Sequence, residues 1–357
     1  MLIDVVKVIL PSILAFFVGI LITPAVSGYL YRNKMWKKKV KSVAVDGRPA
    51  PVFASLHKDR EMNTPRMGGV IVWISSFIVI TGLWSLAKFL PFDVFDKLDF
   101  LSRNQTWIPL ATLLLGGFVG LVDDYMEVSD TGDHHAGGLS LKKRLVVVGL
   151  IGLIVSFWFY TKLGISSIGF PFIETLSLGW LIIPFFTLVI LALYSGGVID
   201  GIDGLAGGVF AIMFSAYALI AFAYDQVNLA AFCALIVGGL LAFLWFNIPP
   251  ARFYMSETGT MGLTVTLGIV AFMTDNLAEG FGIFVLPIIA MPLVLTTLSV
   301  IIQVLSKKFR NGKKVFLSAP IHHHFEAKGW PPHKVTMRYW VLSTIFAVIG
   351  VIVALVA

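Results

Sequence analysis

The chain has 357 residues, of which 57% are apolar and only 13% charged. That balance excludes an ordinary soluble domain of this length and makes the bilayer the natural solvent. A single cysteine, Cys233, excludes a disulfide framework and a thiolate metal site.

Apolar runs long enough to span follow one another along the chain. They are expected at Val5 to Tyr29, Met67 to Ala87, Trp107 to Val122, Leu145 to Tyr160 and Gly179 to Tyr194. Five more are expected at Leu205 to Tyr224, Leu229 to Phe246, Met261 to Ala278, Phe281 to Leu305 and Thr336 to Ala357. At about 1.5 Å per helical residue, each covers a hydrocarbon core of about 30 Å once tilt is allowed. The first run is long and lacks a small-residue cleavage site, so it reads as a retained helix rather than a signal peptide. The expected fold class is therefore an all-α polytopic membrane protein of about ten transmembrane helices, forming a single domain over residues 1–357.

Orientation follows from the basic residues. Of the 27 lysines and arginines, 22 fall in the segments joining odd to even spans, counting Arg338 in the first turn of the tenth. The positive-inside rule assigns those segments to the cytoplasm and both termini to the opposite side. The net charge of +7 is accounted for by topology signals and anionic headgroups, so no nucleic-acid partner is expected. Asp275 and Asn276, near the far end of the eighth run, are expected at the outer interface.

The same cytoplasmic segments carry most of the chain's unusual polar residues. Asp123 and Asp124 end the third run. As neighbours they repel, and both stay ionised only beside a cation or a basic group. A magnesium ion bound by a few carboxylates, water and phosphate would satisfy them, as would solvation at a helix end. Asp200 and Asp203, in Asp200-Gly201-Ile202-Asp203-Gly204, share a face if helical and sit among glycines that allow close approach of a ligand. The pattern suits a phosphate or nucleotide loop, and equally an ordinary Asp-Gly turn. His322, His323 and His324 are consecutive, so on a helix they point about 100° apart and cannot all meet one ion. One or two could bind a phosphate oxygen; an interfacial cluster without chemistry is the alternative. No Walker phosphate loop, dinucleotide fingerprint or zinc helix is present.

Taken together, these segments resemble the polyprenyl-phosphate N-acetylhexosamine-1-phosphate transferases, with the phospho-N-acetylmuramoyl-pentapeptide transferase branch nearest. The resemblance rests on Asp123-Asp124, Asp200-x-x-Asp203, Asn247 followed by Pro-Ala, Met255-Ser256-Glu257-Thr258-Gly259, and Ala319-Pro320-Ile321-His322-His323-His324-Phe325-Glu326. It covers nearly the whole chain.

What the resemblance implies is a multi-pass enzyme of the bacterial cytoplasmic membrane with its active site in the cytoplasmic loops. It would transfer phospho-MurNAc-pentapeptide from its UDP donor to undecaprenyl phosphate with Mg2+, giving lipid I and UMP, and would act as a homodimer. Asp123, Asp124 and His323 would be catalytic. Arg66, Asp200, Gly201, Ile202, Asp203, Asn247, Tyr254, His322 and His324 would bind substrate. Glu257, with Asp123 and Asp124, would hold the metal.

This chain departs from the family pattern at three points. Glu257 stands where the family has Asp, Gly197 where it has Asn, and Glu61 where it has a binding Lys, a loss that Lys58, Arg60 or Arg66 would make good. Arg66 and the Ile202 loop also resemble the branch that transfers GlcNAc-1-phosphate, the alternative function. A non-catalytic relative is the other alternative.

Overall fold

Inside a bilayer each backbone N–H and C=O must be satisfied within the protein, so the apolar runs fold as helices. The computed structural model describes residues 2–38, 63–101, 105–129, 138–171, 175–276 and 280–356. Lys58, Arg60 and Glu61 lie outside the described residues.

In chain order the helices are α1 (Leu2–Arg32), α2 (Val70–Phe89), the short α3 (Asp93–Leu98), α4 (Trp107–Ser129), α5 (Leu141–Trp158), α6 (Ile182–Ser195), α7 (Leu205–Ala223) and α8 (Val227–Asn247). They continue as α9 (Ser256–Asn276), α10 (Gly282–Ile289), α11 (Met291–Phe309), the short α12 (Ile321–Ala327) and α13 (Pro332–Val356). One antiparallel strand pair, Ser167–Ile168 with Leu176–Ser177, lies between α5 and α6.

Among the described residues, nine helices are long and apolar enough to cross a membrane. The eighth expected span is not one of them. That run is α9, which carries Thr258, Thr260, Thr264, Thr266 and Thr274. All five are buried. Neighbouring helices sheathe α9, and most of its threonine hydroxyls donate to carbonyls of its own preceding turn, so it needs no lipophilic surface. The ninth run is broken at Ala290 into α10 and α11, with Pro287 and Pro292 on either side of the break. Large apolar side chains such as Phe17, Leu21, Ile154, Trp180, Leu188 and Trp245 instead face outward, as a lipid-facing surface requires.

Helix α9 packs closely on α4, an approach made possible by small residues. A Cβ at Gly120 would come within 2.0 Å of the Glu257 carbonyl oxygen, so only glycine allows this approach. The contact brings the end of α4, which bears Asp123 and Asp124, against the first turn of α9.

Asp275, expected at an interface, is buried at 3% exposure. Its carboxylate accepts from Gly169 N at 2.9 Å and Ile283 N at 3.1 Å. Two otherwise unsatisfied backbone donors, one beside the strand pair and one in the first turn of α10, draw it inward.

Candidate active site

The first turn of α9 has free backbone donors, as every helix start does. Two are answered by carboxylates from other elements. Ser256 N donates to Asp200 Oδ2 at 2.7 Å, and Thr258 N to Asp124 Oδ2 at 2.8 Å. Thr258 Oγ1 donates to the same Asp124 oxygen at 2.6 Å. Glu257, between them, points its own carboxylate into the same space.

Arginines lie between the carboxylates. Arg144, in the first turn of α5, places Nη1 2.7 Å from Glu257 Oε1 and Nη2 3.1 Å from Asp123 Oδ2. Asp123 Oδ1 accepts from Leu139 N at 2.5 Å. Tyr194, on α6, donates to Glu257 Oε2 at 3.5 Å. Arg66 reaches Asp124 Oδ1 with Nε at 3.5 Å and Glu127 Oε2 with Nη2 at 3.2 Å. Asp123 and Asp124 are themselves fully buried. Carboxylates so far from water persist only because cations and backbone donors surround them.

The second half of the site is the 200–204 loop and α12. A Cβ at Gly201 would lie 2.5 Å from His322 Nε2 and 2.7 Å from His323 Nε2, so this glycine admits both rings. His323 Nδ1 is 2.6 Å from Glu326 Oε2, one turn along α12. A carboxylate on Nδ1 fixes the ring and leaves Nε2 turned toward the loop. His324 does not join them. Its Nδ1 accepts from Leu317 N at 3.1 Å, and its ring packs on Phe316. Partial burial and the nearby Lys328 lower its pKa.

Asn247 straps the loops together: Oδ1 accepts from Gly204 N at 2.9 Å and Nδ2 donates to Phe253 O at 2.7 Å. Asp203 Oδ2 accepts from Ala251 N at 3.1 Å, and Ile202 is buried. Tyr254 is partly exposed, with its backbone paired to Pro65 and Gly68. Arg144, Glu127, Tyr194 and Glu326 are site members that residue patterns alone did not single out. Glu326 carried a usable signal, three residues beyond His323 on one helix face.

Burial lifts the Asp200 carboxyl to about 6, against the lowering effects of the Ser256 N–H and Arg66. A carboxyl raised in the folded state penalises folding once ionised. The penalty is absent below the unfolded value near 4 and complete above about 6. Asp200→Asn, which keeps the acceptor for Ser256 N, is therefore expected to raise thermal stability at pH 7.5 by up to about 3 kcal/mol and at pH 4.5 by only about a third of that. Thermal unfolding of the two forms in detergent at both pH values checks this; equal shifts at both would refute it.

The geometry defines a cluster of carboxylates, arginines and an imidazole–carboxylate pair, suited to handling phosphates. The model of glycosyl transferase family 4 matches residues 106–275, which carry both aspartate segments and Glu257. Relatives named phospho-N-acetylmuramoyl-pentapeptide-transferase match most of the chain. The one from Francisella tularensis subsp. holarctica is 32% identical over 88% of this chain and 84% of its own. That from Syntrophus aciditrophicus is 36% identical over 82% and 80%. That from Rickettsia canadensis is 33% identical over 88% and 86%. The chain belongs to the phospho-N-acetylmuramoyl-pentapeptide transferase family. The GlcNAc-1-phosphate alternative is not favoured by these relatives.

Proposed function

We propose that this protein transfers phospho-MurNAc-pentapeptide from its UDP donor to undecaprenyl phosphate, forming lipid I and UMP at the cytoplasmic face of the bacterial inner membrane. The observation that carries the reading is the meeting of Asp123, Asp124 and Glu257 with the Asp200 loop and His323 around one helix start, in a chain of this family. The basic-residue asymmetry supports the cytoplasmic side and outward termini. The whole chain acts as one domain, with a homodimer as the family expectation.

The residues present fit a divalent cation. Asp123 Oδ2 and Asp124 Oδ1 are buried and make no hydrogen bond, and among the described residues each lies against a guanidinium group. Among the described residues, four carboxylates, Asp123, Asp124, Glu127 and Glu257, cluster with three cations, Lys37, Arg66 and Arg144. Among the described residues no ready-made trio of His, Cys, Asp and Glu encloses a metal. Mg2+ does not need one, since it takes a few carboxylates and fills its shell with water and phosphate. Asp123, Asp124 and Glu257 would hold it, and when bound it neutralises the diphosphate charge.

The protein's own groups do the positioning. The lipid phosphate, with a second pKa near about 6, is largely dianionic at neutral pH and needs little deprotonation. One of its oxygens bonds to the phosphorus bearing MurNAc, and the bond from that phosphorus to the bridging oxygen breaks, releasing UMP. Arg66 and Arg144 face the charged oxygens. His323, held by Glu326, contacts the diphosphate or sugar side. The Asp200–Asp203 loop, with Tyr254, holds the uridine. Purified protein with both substrates and Mg2+ is expected to release UMP and to prefer UDP-MurNAc-pentapeptide over UDP-GlcNAc in competition. No release with any divalent metal, or labelling of the lipid by GlcNAc alone, would overturn the assignment.

A further inference from the structure

Glu127 stands three residues beyond Asp124 on α4, so the two carboxylates share a helix face. Its side chain is only 10% exposed, and its oxygens are taken by two different cations. Lys37 Nζ lies 3.1 Å from Oε1, and Arg66 Nη2 lies 3.2 Å from Oε2. The Arg66 guanidinium also faces Asp124, at the longer distance of 3.5 Å.

The Arg66 main chain is fixed separately. Its N–H donates to Met35 O at 2.8 Å, and the Pro65 carbonyl accepts from Tyr254 N at 2.8 Å. With the backbone held, the Arg66 guanidinium lies against two carboxylates on one helix face. A full charge-assisted contact with Asp124 would shorten to about 2.8 Å and occupy the oxygen now without a hydrogen bond.

We propose that Glu127 is a positioning residue: by holding Arg66 on its own carboxylate, it keeps the guanidinium from closing onto Asp124 and leaves Asp124 Oδ1 available to a divalent cation. The inference rests on the reading of Asp124 as a cation ligand. Lys37 completes the arrangement by occupying the other oxygen of Glu127, tying the segment after α1 to the site.

The test is Mn2+ binding to the full-length protein in detergent, read from the free-ion electron paramagnetic resonance signal without any substrate. Glu127→Gln is expected to weaken binding about tenfold, as loss of a group that orients a ligand does. Two double variants with the same formal charge separate position from charge. Arg66→Gln/Glu127→Gln is expected to return to within about twofold of wild type, and Lys37→Gln/Glu127→Gln to stay weak. Equal recovery in both doubles would mean that only net charge matters and would overturn the inference. So would a Glu127→Gln protein that binds Mn2+ as wild type does. If that single variant does not fold, the comparison of the two doubles still decides. Absence of Mn2+ binding by wild type would instead remove the cation reading itself, and the inference with it.

Discussion

Asp124→Asn is expected to lower turnover by about 10³-fold while the protein still folds. The amide oxygen can accept from Thr258 N and Thr258 Oγ1 as the carboxylate does, so the link from α4 to α9 survives. What is lost is a buried negative charge facing Arg66. Because the lipid phosphate is already ionised, the deficit is one of charge placement rather than proton removal. The pH–rate profile of the residual activity is therefore expected to keep its shape. Gel filtration in detergent verifies folding, and single-turnover UMP release gives the rate. Asp123→Asn is expected to show a comparable loss, since Asp123 sits on the other side of the same cluster and meets Arg144. Full activity in either variant would remove that aspartate from the site.

Arg144→Met is expected to be the most destabilising single change at the site. Its guanidinium separates Asp123 from Glu257, at 3.1 Å and 2.7 Å, and is itself only 21% exposed. Methionine fills much of the volume but leaves two largely buried carboxylates facing each other without a cation. Breaking a buried pair in this way costs about 3–5 kcal/mol. Combining the change with Glu257→Gln is expected to recover a large part of that loss, because one of the two charges is then gone. Unfolding midpoints of the single and double variants in the same detergent measure both effects. A loss within about 1 kcal/mol for Arg144→Met would show that the carboxylates are satisfied in another way.

The histidine segment shows how far local pattern reaches. Helical geometry alone implies that three consecutive imidazoles cannot converge, and in the structure His322 and His323 turn to Gly201 while His324 turns to Leu317. The Glu326 partner of His323 was within reach of the same logic, one turn along. Arg144 was not. As a sequence feature it is one of three basic residues in a row and counts only toward topology; its site role comes from Glu257, 113 residues away. Glu127 was legible only as a carboxylate one turn from the aspartate pair. What it holds, Lys37 and Arg66, depends on how the end of α1 and the segment before α2 fold across α4.

By itself the sequence determined that the chain belongs in a bilayer and where its long helices run, because hydrocarbon admits only apolar segments with internally satisfied backbone. Charge asymmetry and the acidic and histidine segments further determined which loops carry the chain's reactive polar groups. Only the tertiary structure decided that α9 is a threonine-rich interior helix, that Asp275 is buried on backbone donors, and that Arg144 and Glu127 belong to the aspartate cluster. Each of these depends on which surface another helix covers. A buried charge takes its role from the partner that packing brings to it, and that partner is distant in the chain.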